Sequence, residues 1–159
     1  MLRIGQGLDV HAFAPARDLI LGGVKIDYEY GLAGHSDADV LTHALMDALL
    51  GALALGDIGK LFPDNDDAFK GADSLKLLER VMSLEQFKNV TLVNADITVI
   101  AQKPKIAPYT DMMRQKLAAV LKCGVDRISV KGTTTEKLGF CGRGEGITAM
   151  AVVLLEVAQ

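Results

Sequence analysis

Tryptophan is absent from this chain of 159 residues, aromatic side chains make up 5% of it, and it holds only two cysteines and four prolines. Cys123 and Cys141 stand alone, without a C-x-x-C spacing, so neither a disulfide framework nor a zinc ribbon supplies stability; they read as a small buried residue and a loop thiol. No basic stripe interleaved with aromatics exists. The seventeen Lys and Arg residues are scattered through a chain of net charge −3, which excludes a nucleic-acid surface. Long hydrophobic runs are missing too: half the residues are hydrophobic, yet the run from Met150 to Leu155 has the length of a buried strand rather than of a membrane span. From Met1 the sequence passes directly into strand-like residues, without the charged and apolar regions of a signal peptide, so the expected compartment is the cytoplasm. The length fits a single domain over 1–159, which would bury roughly two-thirds of its unfolded surface.

Periodicity places the elements. Leu2 to Val10 reads as a strand with glycines at 5 and 7, and Leu19 to Ile26 as a β segment interrupted by Gly22-Gly23. Ser36 followed three residues later by Asp39 resembles a capping box for a helix whose apolar residues run from Val40 to Leu53, where Gly56 stops it. Asp57 to Asp67 is expected to be an irregular loop of functional character. A second helix follows Asp73-Ser74, Val90 to Ala101 is a long strand, Asp111 to Lys122 is a helix closed by Gly124, and Arg127–Lys131 and Ile147–Val157 are strands. This order predicts an α+β fold, an α/β two-layer sandwich with a mixed sheet of about four strands and helices on one face. The last strand is apolar on both sides, so self-association through the open sheet face is expected.

What the chain does have is three histidines, all near acids in its first 43 positions. Asp9 and His11 flank Val10, and alternation along a strand points both to one face, close enough to share an ion. With His43 they would make two imidazoles and a carboxylate, a set that leaves a coordination position open for chemistry. His43 lies four residues after Asp39 and four before Asp47, and either carboxylate could accept its second ring N–H; the plainer readings are ordinary surface carboxylates and a solvated helix face. His35 and Ser36 sit at the amino end of the same helix, where unpaired N–H groups favour an anion such as phosphate, while Ser36 is equally well explained as an N-cap. Lys131 to Lys137 gathers three threonines, a carboxylate and two lysines after a strand. Such a turn can cradle phosphate, with Glu136 holding a hard cation, or it can be an ordinary polar loop that starts a short helix. Arg143, in the glycine-rich stretch from Gly139 to Gly146, is a second anion candidate.

Together these motifs closely resemble the 2-C-methyl-D-erythritol 2,4-cyclodiphosphate synthase family, of the non-mevalonate isoprenoid pathway. The resemblance rests on Gly7-Leu8-Asp9-Val10-His11, Gly34-His35-Ser36-Asp37-Ala38-Asp39-Val40, Gly56-Asp57-Ile58-Gly59, Phe62-Pro63-Asp64, Ala72-Asp73-Ser74, Ala101-Gln102-Lys103-Pro104-Lys105, Thr133-Thr134-Thr135-Glu136-Lys137-Leu138-Gly139-Phe140 and Gly142-Arg143-Gly144-Glu145-Gly146-Ile147. It implies a homotrimer with active sites between subunits, and an isoprenoid diphosphate as a ligand in an axial cavity. Zn²⁺ would be held by Asp9, His11 and His43, and a second divalent ion, Mg²⁺ or Mn²⁺, would be supported by Glu136. His35 and Thr134 would stabilise the transition state. The substrate would meet Asp9, Val10, His11, His35 and Ser36, then Asp57, Ile58, Gly59, Phe62, Pro63, Asp64, Asn65, Asp66 and Lys70. A cytidine pocket from the neighbouring subunit would use Ala101, Gln102, Lys103, Pro104, Lys105, Ile106 and Ala107 with Thr133, Thr134, Thr135 and Glu136; Phe140 and Arg143 complete the implied contacts. Gly132 stands where alanine is frequent in that family, and Leu8 where an aromatic is often found. A plastid location would apply only where a transit peptide had been removed.

The implied reaction needs no protein nucleophile, because the substrate's own 2-phosphate attacks its diphosphate and expels CMP; that accords with the lack of a Ser-His-Asp or Cys-His arrangement. Rival readings of the triad are a non-haem iron oxygenase, a metal-dependent phosphohydrolase and a zinc-stabilised binding module.

Overall fold

The computed structural model describes residues 1–63 and 66–158. A central sheet has the order β4-β1-β7-β5-β6, built from β1 (Leu2–Ala14), β4 (Gly31–Leu32), β5 (Val90–Ile100), β6 (Ile128–Thr133) and β7 (Gly146–Val157). Only β5 and β6 run parallel, joined through the helix α4 (Thr110–Leu121), so the sheet is mixed as expected. The five strands exceed the expected four because Gly31 and Leu32 pair with Ala14 and Phe13 at the edge, a contact too short to leave a periodic signature. The expected β segment from Leu19 to Ile26 is a separate hairpin, β2 (Leu19–Leu21) and β3 (Val24–Ile26), turned by Gly22 and Gly23 at positive φ.

Helices α1 (Val40–Ala52) and α4 lie on one sheet face, with α3 (Ser74–Met82) packed against both. Helix α1 is apolar nearly all round, its Leu41, Leu45, Leu49 and Leu50 fully buried, because it lies between the sheet, the hairpin and α3. Ser36 is not its N-cap. Asp39 is, accepting from Thr42 N at 3.0 Å and Thr42 Oγ1 at 2.8 Å, and also from Gly22 N and Gly23 N at 2.9 and 2.8 Å. A carboxylate satisfies four donors where a serine hydroxyl could satisfy one or two, so the buried turn selects Asp39. Burial pushes the Asp39 carboxyl up from its ordinary range, opposed by the bonds from Thr42 and Gly23. Gly124 does not end α4 either; Lys122 does, at φ 53°, with its N–H on Ala119 O. The expected loop from Asp57 contains the short helix α2 (Ile58–Leu61) and a 3-10 turn at Asp67–Phe69.

Glycine sets the closeness of helix to sheet. A Cβ on Gly5 would lie 1.9 Å from Ala48 O, and one on Gly7 1.9 Å from Ala44 O, so the α1 backbone rests directly on β1. The opposite face of the sheet carries Leu2, Ile4, Leu8 and Val10 of β1 and Met150, Val152 and Leu154 of β7, with Ile4 73% and Leu8 55% exposed. Complete burial of a fully exposed side chain of this kind contributes about 1.5–3 kcal/mol, and the partly covered ones among these have correspondingly less to gain. Among the described residues, no helix is long and apolar enough to cross a membrane.

Gly7→Ala should therefore force α1 off the sheet and destabilise the protein by about 1–3 kcal/mol or more. Gly51→Ala, whose Cβ would meet nothing closer than Gln6 O at 3.8 Å, should be neutral or stabilising, by up to about 1 kcal/mol. Urea denaturation of the two variants checks the contrast, and equal midpoints would remove the close-approach argument.

Candidate metal centre and substrate cleft

Strand alternation sends Asp9 and His11 to the helix face, and the close seat of α1 on Gly7 brings His43 down to meet them. Asp9 Oδ2 lies 2.9 Å from His11 Nε2 and 3.2 Å from His43 Nδ1, and one ligand atom from each residue falls within 4.8 Å of the others. The two rings meet edge to face at 5.3 Å. Burial works to raise the Asp9 carboxyl, while N–H donation and positive charge from His11 and His43, when those rings are protonated and no ion lies between them, hold it well below the usual carboxylate range.

Protons decide what this cluster accommodates. His11 Nδ1 is 2.5 Å from the Ala33 carbonyl, which can only accept, so Nδ1 bears the proton and Nε2 turns a lone pair toward Asp9. His43 Nε2 lies 3.1 Å from both Ser36 Oγ and Ser74 Oγ, leaving Nδ1 to face Asp9. Two imidazole lone pairs and a carboxylate converging on one point repel unless a cation lies between them, and three N and O donors with an open position suit zinc. The donor set thus fits a divalent metal.

Around it opens a cleft of about 370 Å³, lined by Val10, His35, Ser36, Asp47, Ile58, Gly59, Phe62 and Phe69 as well as the triad. His35 Nε2 donates to Asp66 O at 2.9 Å, linking a lining residue to the segment just outside the cleft. Asp57 caps α2 by accepting from Lys60 N. Pro63, Asp66 and Lys70 stay outside the cleft lining, while Asp64 and Asn65 lie outside the described residues. Phe62 and Phe69 stack edge to face at 5.2 Å beneath the Arg80 guanidinium.

Neither Asp39 nor Asp47 is the outer partner of His43 that either could have been; its ring bonds Ser36, Ser74 and Asp9. Asp39 is committed to its cap, and Asp47 Oδ1 accepts Ile58 N at 2.8 Å, fixing the turn that begins at Asp57. Ser36 Oγ accepts from Ala38 N at 3.1 Å in a sharp turn, since Ala38 has φ 57°. Three contributors escape periodicity and spacing altogether. Ser74 reaches His43 from α3, Asp37 holds Ser74, and Arg17 donates 2.7 Å bonds to both Gly34 O and Ser36 O. Their partners lie 17 to 37 residues away, and no local signal marks such contacts.

The remaining expected residues form a second group, apart from the cleft. Ala101 N bonds Thr133 O at 2.9 Å, Lys137 N bonds Gln102 Oε1 at 3.0 Å, and Thr134 Oγ1 donates to Glu136 Oε1 at 3.1 Å. Glu136 and Lys137 hold left-handed backbone, at φ 52° and 66°, a strain that costs free energy in non-glycine residues. Gly132 is matched to its neighbour: a Cβ there would lie 2.9 Å from Ile106 Cβ, so Ile106 occupies the space an alanine methyl would take. Lys103, Lys105, Ala107, Thr133, Phe140 and Arg143 are exposed, and Arg143 pairs with Glu145 at 3.1 and 3.2 Å. Thr135 Oγ1 donates to Leu138 O at 2.6 Å.

Comparison with known proteins agrees with this geometry. The 2-C-methyl-D-erythritol 2,4-cyclodiphosphate synthase of Geobacter metallireducens is 63% identical over 155 residues, covering 98% of this chain and 99% of that protein. The Bacillus pumilus protein of the same name is 60% identical, covering 98% and 99%. Among solved structures, IspF of Plasmodium falciparum in complex with CDP superposes with a TM-score of 0.85 at 39% identity, covering 99% of this chain and 97% of that one. The bifunctional IspDF of Campylobacter jejuni matches with a TM-score of 0.95 at 45% identity, all of this chain corresponding to 43% of that longer one. Residues 2–156 match the YgbB family, and the chain belongs to that family.

Proposed function

We propose that this protein is a 2-C-methyl-D-erythritol 2,4-cyclodiphosphate synthase, a phosphorus-oxygen lyase that converts 4-diphosphocytidyl-2-C-methyl-D-erythritol 2-phosphate to the cyclic 2,4-diphosphate and CMP. The observation that carries the reading is the convergence of Asp9, His11 and His43 at the floor of a cleft, in a chain 63% identical to a synthase of that name. An oxygen of the 2-phosphate attacks the β-phosphorus, and the bond from that phosphorus to the α-phosphate oxygen breaks, with CMP leaving as the anion. Attacker and target share one molecule but repel each other, so the protein's task is to fold the substrate and offset its charge.

Zinc held by the triad, with Mg²⁺ or Mn²⁺ supported by Glu136, would supply the Lewis acidity that neutralises the diphosphate oxygens. His35, whose Nε2–H is given to Asp66 O, and Ser36, through its hydroxyl, would meet the 2-phosphate, and Asp57 and Gly59 would hold the erythritol hydroxyls. Thr134 would steady the diphosphate as its charge shifts toward the leaving group. The Ala101 to Ala107 and Thr133 to Glu136 segments would bind the cytidine. Their separation from the cleft within one chain, together with the exposed apolar face of β1 and β7, supports a homotrimer in which neighbouring subunits complete each site, with an isoprenoid diphosphate as a ligand of the axis. The cytoplasm is the compartment that this chemistry suits.

Phosphorus NMR of the purified protein with the diphosphocytidyl substrate and Mg²⁺ should show the cyclic diphosphate and CMP growing together; release of free phosphate would instead identify a phosphohydrolase. His11→Ala and His43→Ala should each lose stoichiometric zinc and turnover while keeping the wild-type circular dichroism spectrum, since a preformed scaffold supports the site. Retention of zinc by either would break the triad assignment. Trimers co-expressed from His43→Ala subunits and subunits carrying Thr133→Ala with Thr134→Ala should recover part of the activity lost by each parent. Mixed trimers inactive at every ratio would place both halves in one chain.

A further inference from the structure

His43 is held from behind by a chain of hydrogen bonds whose direction can be read from chemistry alone. Ser74, at the first turn of α3 and fully buried, sits with its Oγ 3.1 Å from His43 Nε2. Its hydroxyl also makes a short bond to Asp37 Oδ1, and its backbone N–H donates to Asp37 Oδ2 at 3.0 Å. Asp37 Oδ1 accepts from Asp39 N as well, at 3.1 Å. An ionised carboxylate only accepts, so the single hydroxyl proton of Ser74 is committed to Asp37. The Ser74 oxygen then has only lone pairs to offer His43, and Nε2 must carry the imidazole proton. A neutral imidazole has one such proton, which leaves the Nδ1 lone pair pointing at Asp9, where the metal ligands converge.

The same relay determines what Ser36 can do. Its Oγ lies 3.1 Å from His43 Nε2 and accepts from Ala38 N at 3.1 Å, so it too faces donors on those sides. Because Nε2 is protonated, Ser36 cannot donate to it, and its hydroxyl proton is left to turn into the cleft that Ser36 lines.

We infer that Asp37 and Ser74 are positioning residues that lock His43 in the Nε2–H tautomer, thereby presenting Nδ1 to the metal and reserving the Ser36 hydroxyl proton for an anionic oxygen of the substrate. The metal half of this inference stands on the triad alone; the Ser36 half rests on the proposed synthase reaction. Neither Asp37 nor Ser74 lines the cleft, so both act through His43 rather than on the substrate. Outer partners of this kind typically change metal affinity by roughly 10–100-fold when removed.

The test reads zinc binding and ring protonation without substrate, which separates its failure from failure of the synthase reading. In the zinc-loaded full-length protein labelled with ¹⁵N-histidine, the His43 ring should show its proton on Nε2, slow to exchange with solvent, and a metal-bound Nδ1. Ser74→Ala should speed that exchange, and both Ser74→Ala and Asp37→Ala should raise the zinc dissociation constant by roughly 10–100-fold in competition with a chromogenic chelator. With substrate, both should weaken turnover at limiting zinc more than at saturating zinc. A proton found on Nδ1 in the wild-type protein would overturn the inference without recourse to any variant. So would unchanged zinc affinity in folded Ser74→Ala and Asp37→Ala proteins, even if the phosphorus NMR showed the cyclic product.

Discussion

The contact on which the rest depends is backbone against backbone, where helix α1 lies on Gly5 and Gly7 of strand β1. A Cβ at either glycine would stand 1.9 Å from a carbonyl oxygen of the helix, so the separation is set by main-chain atoms rather than by side chains that could repack. Asp9 and His11 are on that strand and His43 is on that helix, adjacent to Ala44, whose carbonyl meets Gly7. Metal ligands tolerate errors of only tenths of an ångström. Seating two rigid elements on main-chain atoms fixes where Asp9, His11 and His43 meet, as the tight geometry of a metal site would require.

Much of this was legible in the sequence because it is local or periodic. Alternation placed Asp9 and His11 on one face, and the apolar spacing from Val40 to Leu53 gave α1 nearly to its ends. The strands at Val90 and Ile147 stood out by their β-branched and apolar runs. What could not be read depends on distant partners. Asp39 became the cap rather than Ser36 because the β2–β3 turn brings two further N–H groups to it, and nothing near residue 39 announces that turn. Ser74 looked like part of a helix start, yet its hydroxyl serves a histidine 31 residues earlier. Family resemblance alone implies a cytidine role for Ala101 to Ala107 and Thr133 to Glu136; composition points only to a phosphate cradle and a cation at Lys131 to Lys137.

Two groups of chemistry-bearing residues sit on different parts of the chain with different physical character. The triad and its relay are half-buried or buried and thoroughly bonded, as desolvated ionisable groups must be. The threonine and lysine segments are mostly exposed and make chiefly local bonds, apart from the β5–β6 and Gln102 links that hold them together. Strained backbone at Glu136 and Lys137 persists there on an otherwise ordinary turn. The matched pair of Gly132 and Ile106 shows that even in the exposed group the packing beneath is specific.

Strand β1 also carries its own check on assembly. Odd-numbered residues face α1 and even-numbered ones face the open side of the sheet. A slip of one residue against β7 would turn Gln6 and Leu8 toward Ala48 and Ala44, where the helix backbone leaves no room even for a methyl group. A slipped β1 thus leaves α1 no seat, so that α1 docked on the sheet goes together with Asp9 and His11 on the helix side. The two glycines act as a proofreading device for strand register, independent of any ligand.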